Sequence, residues 1–418
     1  MSIKQIYIAR GSTINYTTGF DRYTCFEDSM SVDATEANKK QYLRVSGATF
    51  SYLSVYISAN TLNVNANLKF INNGSVGNQN VVITAGVTGL FQDTSGTDTV
   101  AQDNTVSLEQ VVGVATGSAT PEYWSCVASP STNWRYYGQN AGGNLSSASI
   151  FRSLSGNSTA VSGSEANAQV KFRQSGTLKK SQVTVSVNTE TSSNVIVMRK
   201  NGANANLTMT VPGSTTGIFE DTANSDTVSV GDLFNWNTTS LSGTTTGTVL
   251  SVEFVSDDSA ITQVAASGGN SVTAGTTTYS NIAGNAPLNT TEAIVSVPIN
   301  FAYTVTKFET YVSSNATTSN STLDFRVGST NPAGSPLITI TSGTTGYFSD
   351  LTSVYTGSSG DLVNYRYVNG GGGTLNTTFR GILMNEVQVT PPASGPAAFR
   401  RTLSQYGTGK GHRQMIGV

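Results

Sequence analysis

Charge is scarce in this chain. Of 418 residues only 11% are Asp, Glu, Lys or Arg, against about a quarter in an ordinary soluble domain, and the formal net charge is −2. A surface so close to neutral exerts no global pull on nucleic acid or anionic lipid, so neither is expected as a partner. Histidine is nearly missing: His412 is the only one, and a Ser-His-Asp or Cys-His arrangement would have to use it. Its setting, Lys410-Gly411-His412-Arg413, reads as a basic tail rather than a core strand. Only Cys25 and Cys126 carry thiols. One His and two distant Cys do not assemble a zinc site, and spacing alone cannot establish a Cys25–Cys126 disulfide. Long apolar runs are also absent. None approaches the roughly 20 residues of a membrane span, and Met1 to Arg10 holds no apolar stretch of the kind a secretory signal needs. The expectation is a chain assembled in the cytosol, without membrane contact.

What is plentiful is Gly (42 residues), with Ser, Thr and Asn throughout, and enough Tyr (17) and Phe (16) to fill cores. Thr, Val, Tyr and Phe suit pleated surfaces, while Gly and Asn suit turns. The bias predicts an all-β protein kept soluble by hydroxyls and amides.

The chain repeats itself three times. Thr88-Gly89-Leu90-Phe91-Gln92-Asp93 returns as Thr216-Gly217-Ile218-Phe219-Glu220-Asp221 and as Thr345-Gly346-Tyr347-Phe348-Ser349-Asp350. A second anchor, Glu-Ala at Glu36, Glu165 and Glu292, keeps a similar step. The period is too long for a solenoid and suits one small domain. Within each copy, alternating runs bounded by Gly and Asn turns predict about seven or eight strands. The expected architecture is three tandem jelly-roll-like β-sandwich domains, at 1–140, 141–262 and 263–390, followed by an extended basic tail at 391–418 that begins Pro391-Pro392.

The signature reads as turn chemistry. Its glycines (Gly89, Gly217, Gly346) bend the backbone, its aromatics (Phe91, Phe219, Phe348) enter the core, and its aspartates (Asp93, Asp221, Asp350) accept backbone N–H groups. A regular spacing of Asp93, Asp98 and Asp103 raises a calcium loop, but no Asp-x-Asp-x-Asp-Gly pattern accompanies it, and turn capping is the better reading. Lys69, Arg199 and Arg326 precede glycine turns and read as solvated strand faces. Cys126 aligns by spacing with Phe254 and Leu383, a buried apolar slot. No catalytic residue, cofactor or metal site is expected. In the tail, Phe399, Arg400, Arg401, Tyr406, Lys410 and Arg413 combine aromatic and basic groups without an acid, as a docking arm would.

The succession Ser164-Glu165-Ala166, Gly176-Thr177-Leu178, Arg199-Lys200-Asn201-Gly202, Thr216-Gly217-Ile218-Phe219-Glu220-Asp221 and Gly231-Asp232-Leu233 resembles a β-sandwich module of tailed-bacteriophage virion proteins. The second copy carries the likeness best; the others follow in outline. The resemblance implies a non-enzymatic exterior part of the virion, such as a decoration, fibre, neck or collar protein, assembled in the host cytoplasm. It implies a homo-oligomer, with a trimer favoured, docked on capsid, portal or neck proteins. The alternative is a host-recognition or carbohydrate-binding surface protein with a glycan as partner.

Overall fold

The computed structural model describes residues 4–10, 16–17, 21–26, 32–111, 116–139, 143–145, 150–156, 161–238, 243–285 and 288–387. All regular structure in them is β-strand, apart from three short 3₁₀ turns at Glu36–Asn38, Glu165–Asn167 and Glu292–Val295. These turns are the Glu-Ala anchors.

In the first repeat the main strands are β1 (Gln5–Arg10), β2 (Tyr16–Thr17), β3 (Arg22–Thr24), β4 (Gln41–Tyr42), β5 (Ala48–Asn60), β6 (Ala66–Asn72), β7 (Ser75–Ile83), β8 (Gly89–Gln92), β9 (Thr97–Val100), β10 (Thr105–Val111) and β11 (Ser118–Pro130). One sheet runs β1-β11-β5-β8 and the other β3-β10-β6-β7. The chain crosses repeatedly between the two, and alternate residues of each strand fill the space between them. Phe50, Val55 and Trp124 from one sheet meet Leu68, Phe70 and Leu108 from the other in a single core.

The second repeat repeats this order. Trp134–Gln139 pairs Thr245–Ser256, which pairs Gly176–Asn188, which pairs Gly217–Val228. In the third, Ile261–Val272 pairs Leu375–Glu386, which pairs Tyr303–Asn315, which pairs Gly346–Asp350. Two joints differ in place from the expected boundaries. Trp134–Gln139 precedes residue 141, yet it belongs to a sheet of the second repeat; Ile261 likewise starts a strand of the third.

Counted by sheets, the described residues of 4–387 form a set of six, arranged as a six-bladed propeller would be, rather than three sandwiches standing independently along the chain. Closure follows from what covers the outer face of each first sheet. Tyr7, Trp124 and Cys126 point into the first core, while Ile6, Ile8, Tyr123 and Val127 point out and join the core of the third repeat. Tyr311, Tyr347 and Phe379 of the third repeat pack against the second. Trp134, Tyr136 and Val255 of the second pack against the first. Each repeat therefore lends a sheet face to another, and among the described residues the exchange runs in a cycle.

The three first strands meet at Arg135, which is 1% exposed. Its guanidinium donates to the Ile6 carbonyl of the first repeat at 3.2 Å and to Thr262 Oγ1 of the third at 3.5 Å. It lies 5.1 Å from the Tyr7 ring centre and 5.5 Å from that of Tyr137. Desolvation makes such a group costly unless it is well surrounded, and the crossing of three strands supplies the surroundings.

Candidate functional site

The signature residues sit at one structural place per repeat. Gly89, Gly217 and Gly346 have φ of 118°, 122° and 107°. A Cβ at any of them would meet nothing within 4 Å, so the requirement is conformational, not steric. Phe91, Phe219 and Phe348 are half-buried against the margin of their cores. Each aspartate accepts three backbone N–H bonds. Asp93 takes those of Asn80, Ser95 and Gly96 at 2.8–3.0 Å. Asp221 takes Thr208, Ala223 and Asn224 at 2.9–3.2 Å, and Asp350 takes Leu337, Thr352 and Ser353 at 3.0–3.1 Å. Burial raises these carboxyls, but the N–H bonds outweigh it: all three lie below the ordinary range, and Asp350 is pulled down to about 2. Asp98 likewise accepts from Asn78 and Gln79 N–H. Asp103 stands with φ 66° where the other repeats have Gly231 and Gly360, and its carboxylate turns to Arg44. Oxygens so engaged are the ends of turns, and among the described residues no group of three or more His, Cys, Asp or Glu is placed to hold a metal ion.

Two series noted separately in the sequence meet in space. Arg199 grips Glu165 with two bonds, at 3.0 and 3.1 Å, and Arg326 grips Glu292 at 2.7 and 3.1 Å. These arginines are thus not solvated face residues but bidentate clamps on the 3₁₀ turn. Lys69 is not their counterpart. The turn bonds Asn73 N–H to Thr105 O, Asn201 N–H to Leu233 O and Gly328 N–H to Leu362 O place Ile71 in that slot; Glu36 instead pairs with Lys40 at 3.6 Å. By strand register, Cys126 corresponds to Val252 and Ile382 rather than to Phe254 and Leu383. The slot is apolar as expected, and both Cys25 and Cys126 are buried.

The functional residues that sequence reading missed lie on the seams between repeats. On the seam of the first and second, Arg44 forks onto Glu220 at 2.6 and 2.7 Å, and the Arg44 and Val45 N–H groups donate to Glu253 at 2.6 and 2.8 Å. Burial pushes the Glu253 carboxyl up to about 8, against the pull of those two N–H bonds. On the seam of the second and third, Arg173 forks onto Glu309 with two bonds of 2.6 Å, and Lys171 lies 3.3 Å from the same carboxylate. Gln263 closes that seam with reciprocal bonds to Arg173 N–H and Lys171 O, both 2.7 Å. The third seam, between third and first repeats, has no arginine at this place: Gly231 N–H bonds Phe172 O and Gly360 N–H bonds Ile299 O, so Pro298 and Asn300 stand where Lys171 and Arg173 do. Tyr123 instead donates to Ser296 O at 2.5 Å, and Lys4 pairs with Glu386 at 2.9 Å.

Two glycines 128 residues apart mark the same seams. A Cβ on Gly156 would lie 2.5 Å from Ser267 O, and one on Gly284 would lie 2.5 Å from Ile8 O. Both have positive φ. The recurrence of Gly-Asn at 156 and 284 was visible in the sequence; what it touches was not. The proposed docking residues Phe399, Arg400, Arg401, Tyr406, Lys410 and Arg413, with His412, lie outside the described residues.

No family model matches the chain, and no curated protein matches it. Solved structures to which it is similar include one from an archaeal virus, described as a triple jelly-roll fold and turret assembly, with 12% identity over 91% of this chain and 90% of that one. Another is from Sulfolobus turreted icosahedral virus, with 12% identity over 92% of each chain. The TM-score is 0.20 in both cases, a likeness too loose to bear on fold or function, and neither is described as a tailed-phage protein.

Proposed function

We propose that the chain is a non-enzymatic structural protein of a virion exterior, in which three jelly rolls are closed into one three-fold building block. The observation that carries this reading is the cyclic exchange of sheet faces among the repeats. Symmetric assemblies require subunits with matching faces, and here one chain supplies three such units already locked together. The strand order supports the jelly-roll part. A propeller blade takes its four strands from one stretch of chain; in each repeat here the first long strand pairs with the last, and the chain crosses between the two sheets. The neutral surface rich in hydroxyls and amides fits an exposed, durable coat. The resemblance of the repeat to tailed-phage modules favours a decoration, fibre, or neck or collar part, with residues 391–418 docking on capsid, portal or neck proteins.

Mass spectrometry of gradient-purified particles, with gold labelling of this chain, should place it on the particle surface. Deleting residues 391–418 should abolish incorporation. Particles that lack the chain overturn the virion reading; particles that incorporate the truncated chain normally overturn the docking role alone. Sedimentation velocity of the purified chain separates a monomeric building block from the expected further trimer.

A further inference from the structure

The three seams are built from equivalent strands but are not filled alike. On the seam of the second and third repeats, Tyr311, Tyr347 and Phe379 form an aromatic cluster, with Tyr311 and Tyr347 edge to face at 4.9 Å. Lys171 covers it, its Nζ 4.4 Å from the Tyr347 ring centre. By strand register the same positions on the seam of the third and first repeats are Tyr56, Leu90 and Tyr123. The covering residue there is Pro298, which cannot reach across. A cavity of about 130 Å³ lies against Tyr56, Leu90 and Tyr123.

Tyr56, Leu90 and Tyr123 form one wall, and Ser296, Ser329 and Leu362 contribute to the other. Tyr56 and Tyr123 are stacked, with ring centres 6.0 Å apart and planes at 22°. Tyr123 is fully buried and pinned by its bond to Ser296 O, so Tyr56 rests on a fixed platform. Among the described residues, no charged side chain lines the cavity. An apolar cavity of about 150 Å³ holds one benzene; this one is slightly smaller, so a pyranose enters it with one face of its ring and leaves its other hydroxyls outside. Aromatic and aliphatic walls with a few hydroxyl groups select a ligand that has an apolar face and a polar edge. Charge on the ligand would go uncompensated.

From this geometry we infer a binding site for one neutral pyranose ring, such as a terminal sugar of a glycan, seated against Tyr56 in the seam of the third and first repeats. It does not depend on the virion reading.

Saturation-transfer NMR on the full chain tests it, with methyl glycosides of glucose, galactose, mannose and N-acetylglucosamine as probes and benzene as the purely apolar comparison. Expected is transfer to the ring C–H protons of at least one glycoside, with a dissociation constant on the order of millimolar. Tyr56→Ala should weaken that binding at least tenfold, with the melting temperature measured alongside. Leu90→Trp, at a part-exposed wall position on an edge strand, should fill the cavity and abolish binding; it carries the test if Tyr56→Ala destabilises the protein. Binding of no glycoside, binding of benzene alone, or glycoside binding unchanged in Leu90→Trp each overturns the inference.

Discussion

At the residue scale the repeat signature is a device for ending one strand and starting the next. Three peptide N–H groups that would otherwise face a tight turn unpaired are collected by one carboxylate, and hydrogen bonds to a charged group contribute about 1.5–3 kcal/mol each before the cost of burying the charge. Asp221→Ala should therefore destabilise the protein by about 2–3 kcal/mol in urea unfolding, while Asp221→Asn, which keeps an acceptor, should cost less. Equal losses for the two variants would mean that the charge contributes nothing. This much was legible in the sequence, because a turn is made by neighbours: Gly217 and Asp221 are four residues apart and their partners Ala223 and Asn224 follow at once. The clamp of Arg199 on Glu165 was not legible as a pair. Its members are 34 residues apart, and only the crossing of the chain between sheets brings them together.

At the element scale the informative strands are those that close each repeat. Most strands alternate buried and exposed residues, as a half-covered sheet does. The last strands do not: Tyr123 to Ala128 and Thr248 to Phe254 are buried without a break. A strand buried on both faces needs a neighbour beyond its own sandwich, so the run Tyr123-Trp124-Ser125-Cys126-Val127 already held the seams. The sequence period alone made it look like one more strand. The seams also differ in what their ion pairs are worth. Glu309 is 1% exposed, and its arginine only 17%; removing one member of a buried pair costs about 3–5 kcal/mol. Arg44 and Glu220 are both about one-fifth exposed, where water screens the pair and about 1 kcal/mol is typical. Arg173→Ala should accordingly lower stability far more than Arg44→Ala. Arg173→Lys should rescue it only in part, because an ammonium cannot reproduce the two-pronged contact. Similar losses for Arg173→Ala and Arg44→Ala would show that burial of Glu309 does not set the strength of its seam.

At the scale of the whole molecule, a ring of shared cores behaves as one unit. Residues 1–132 alone would expose Ile6, Ile8, Tyr123 and Val127, which the third repeat now covers, and should aggregate when expressed without the rest. Residues 1–387 should unfold in a single calorimetric transition, with calorimetric and van't Hoff enthalpies in agreement; three resolved transitions would mean that the repeats fold independently. The buried Glu253 gives that transition a direction with pH. Its carboxyl is raised from 4.5 to about 8 in the folded protein, so the folded state holds a proton that the unfolded chain gives up. The stability it contributes is complete below about pH 4.5 and is lost as pH rises through about 8. The signature aspartates act oppositely: Asp93, Asp221 and Asp350 are depressed, and their contribution is lost as pH falls below about 4 towards 2. The melting temperature should therefore peak between about pH 4 and 5 and fall on both sides. Glu253→Gln removes the titrating group but keeps an acceptor for one of the two N–H bonds from Arg44 and Val45, so it should lower the peak and flatten the alkaline slope. A wild-type melting temperature that is level from about pH 5 to 8.5, or an alkaline slope that survives in Glu253→Gln, would show that the seam of the first and second repeats does not sense protons through this residue.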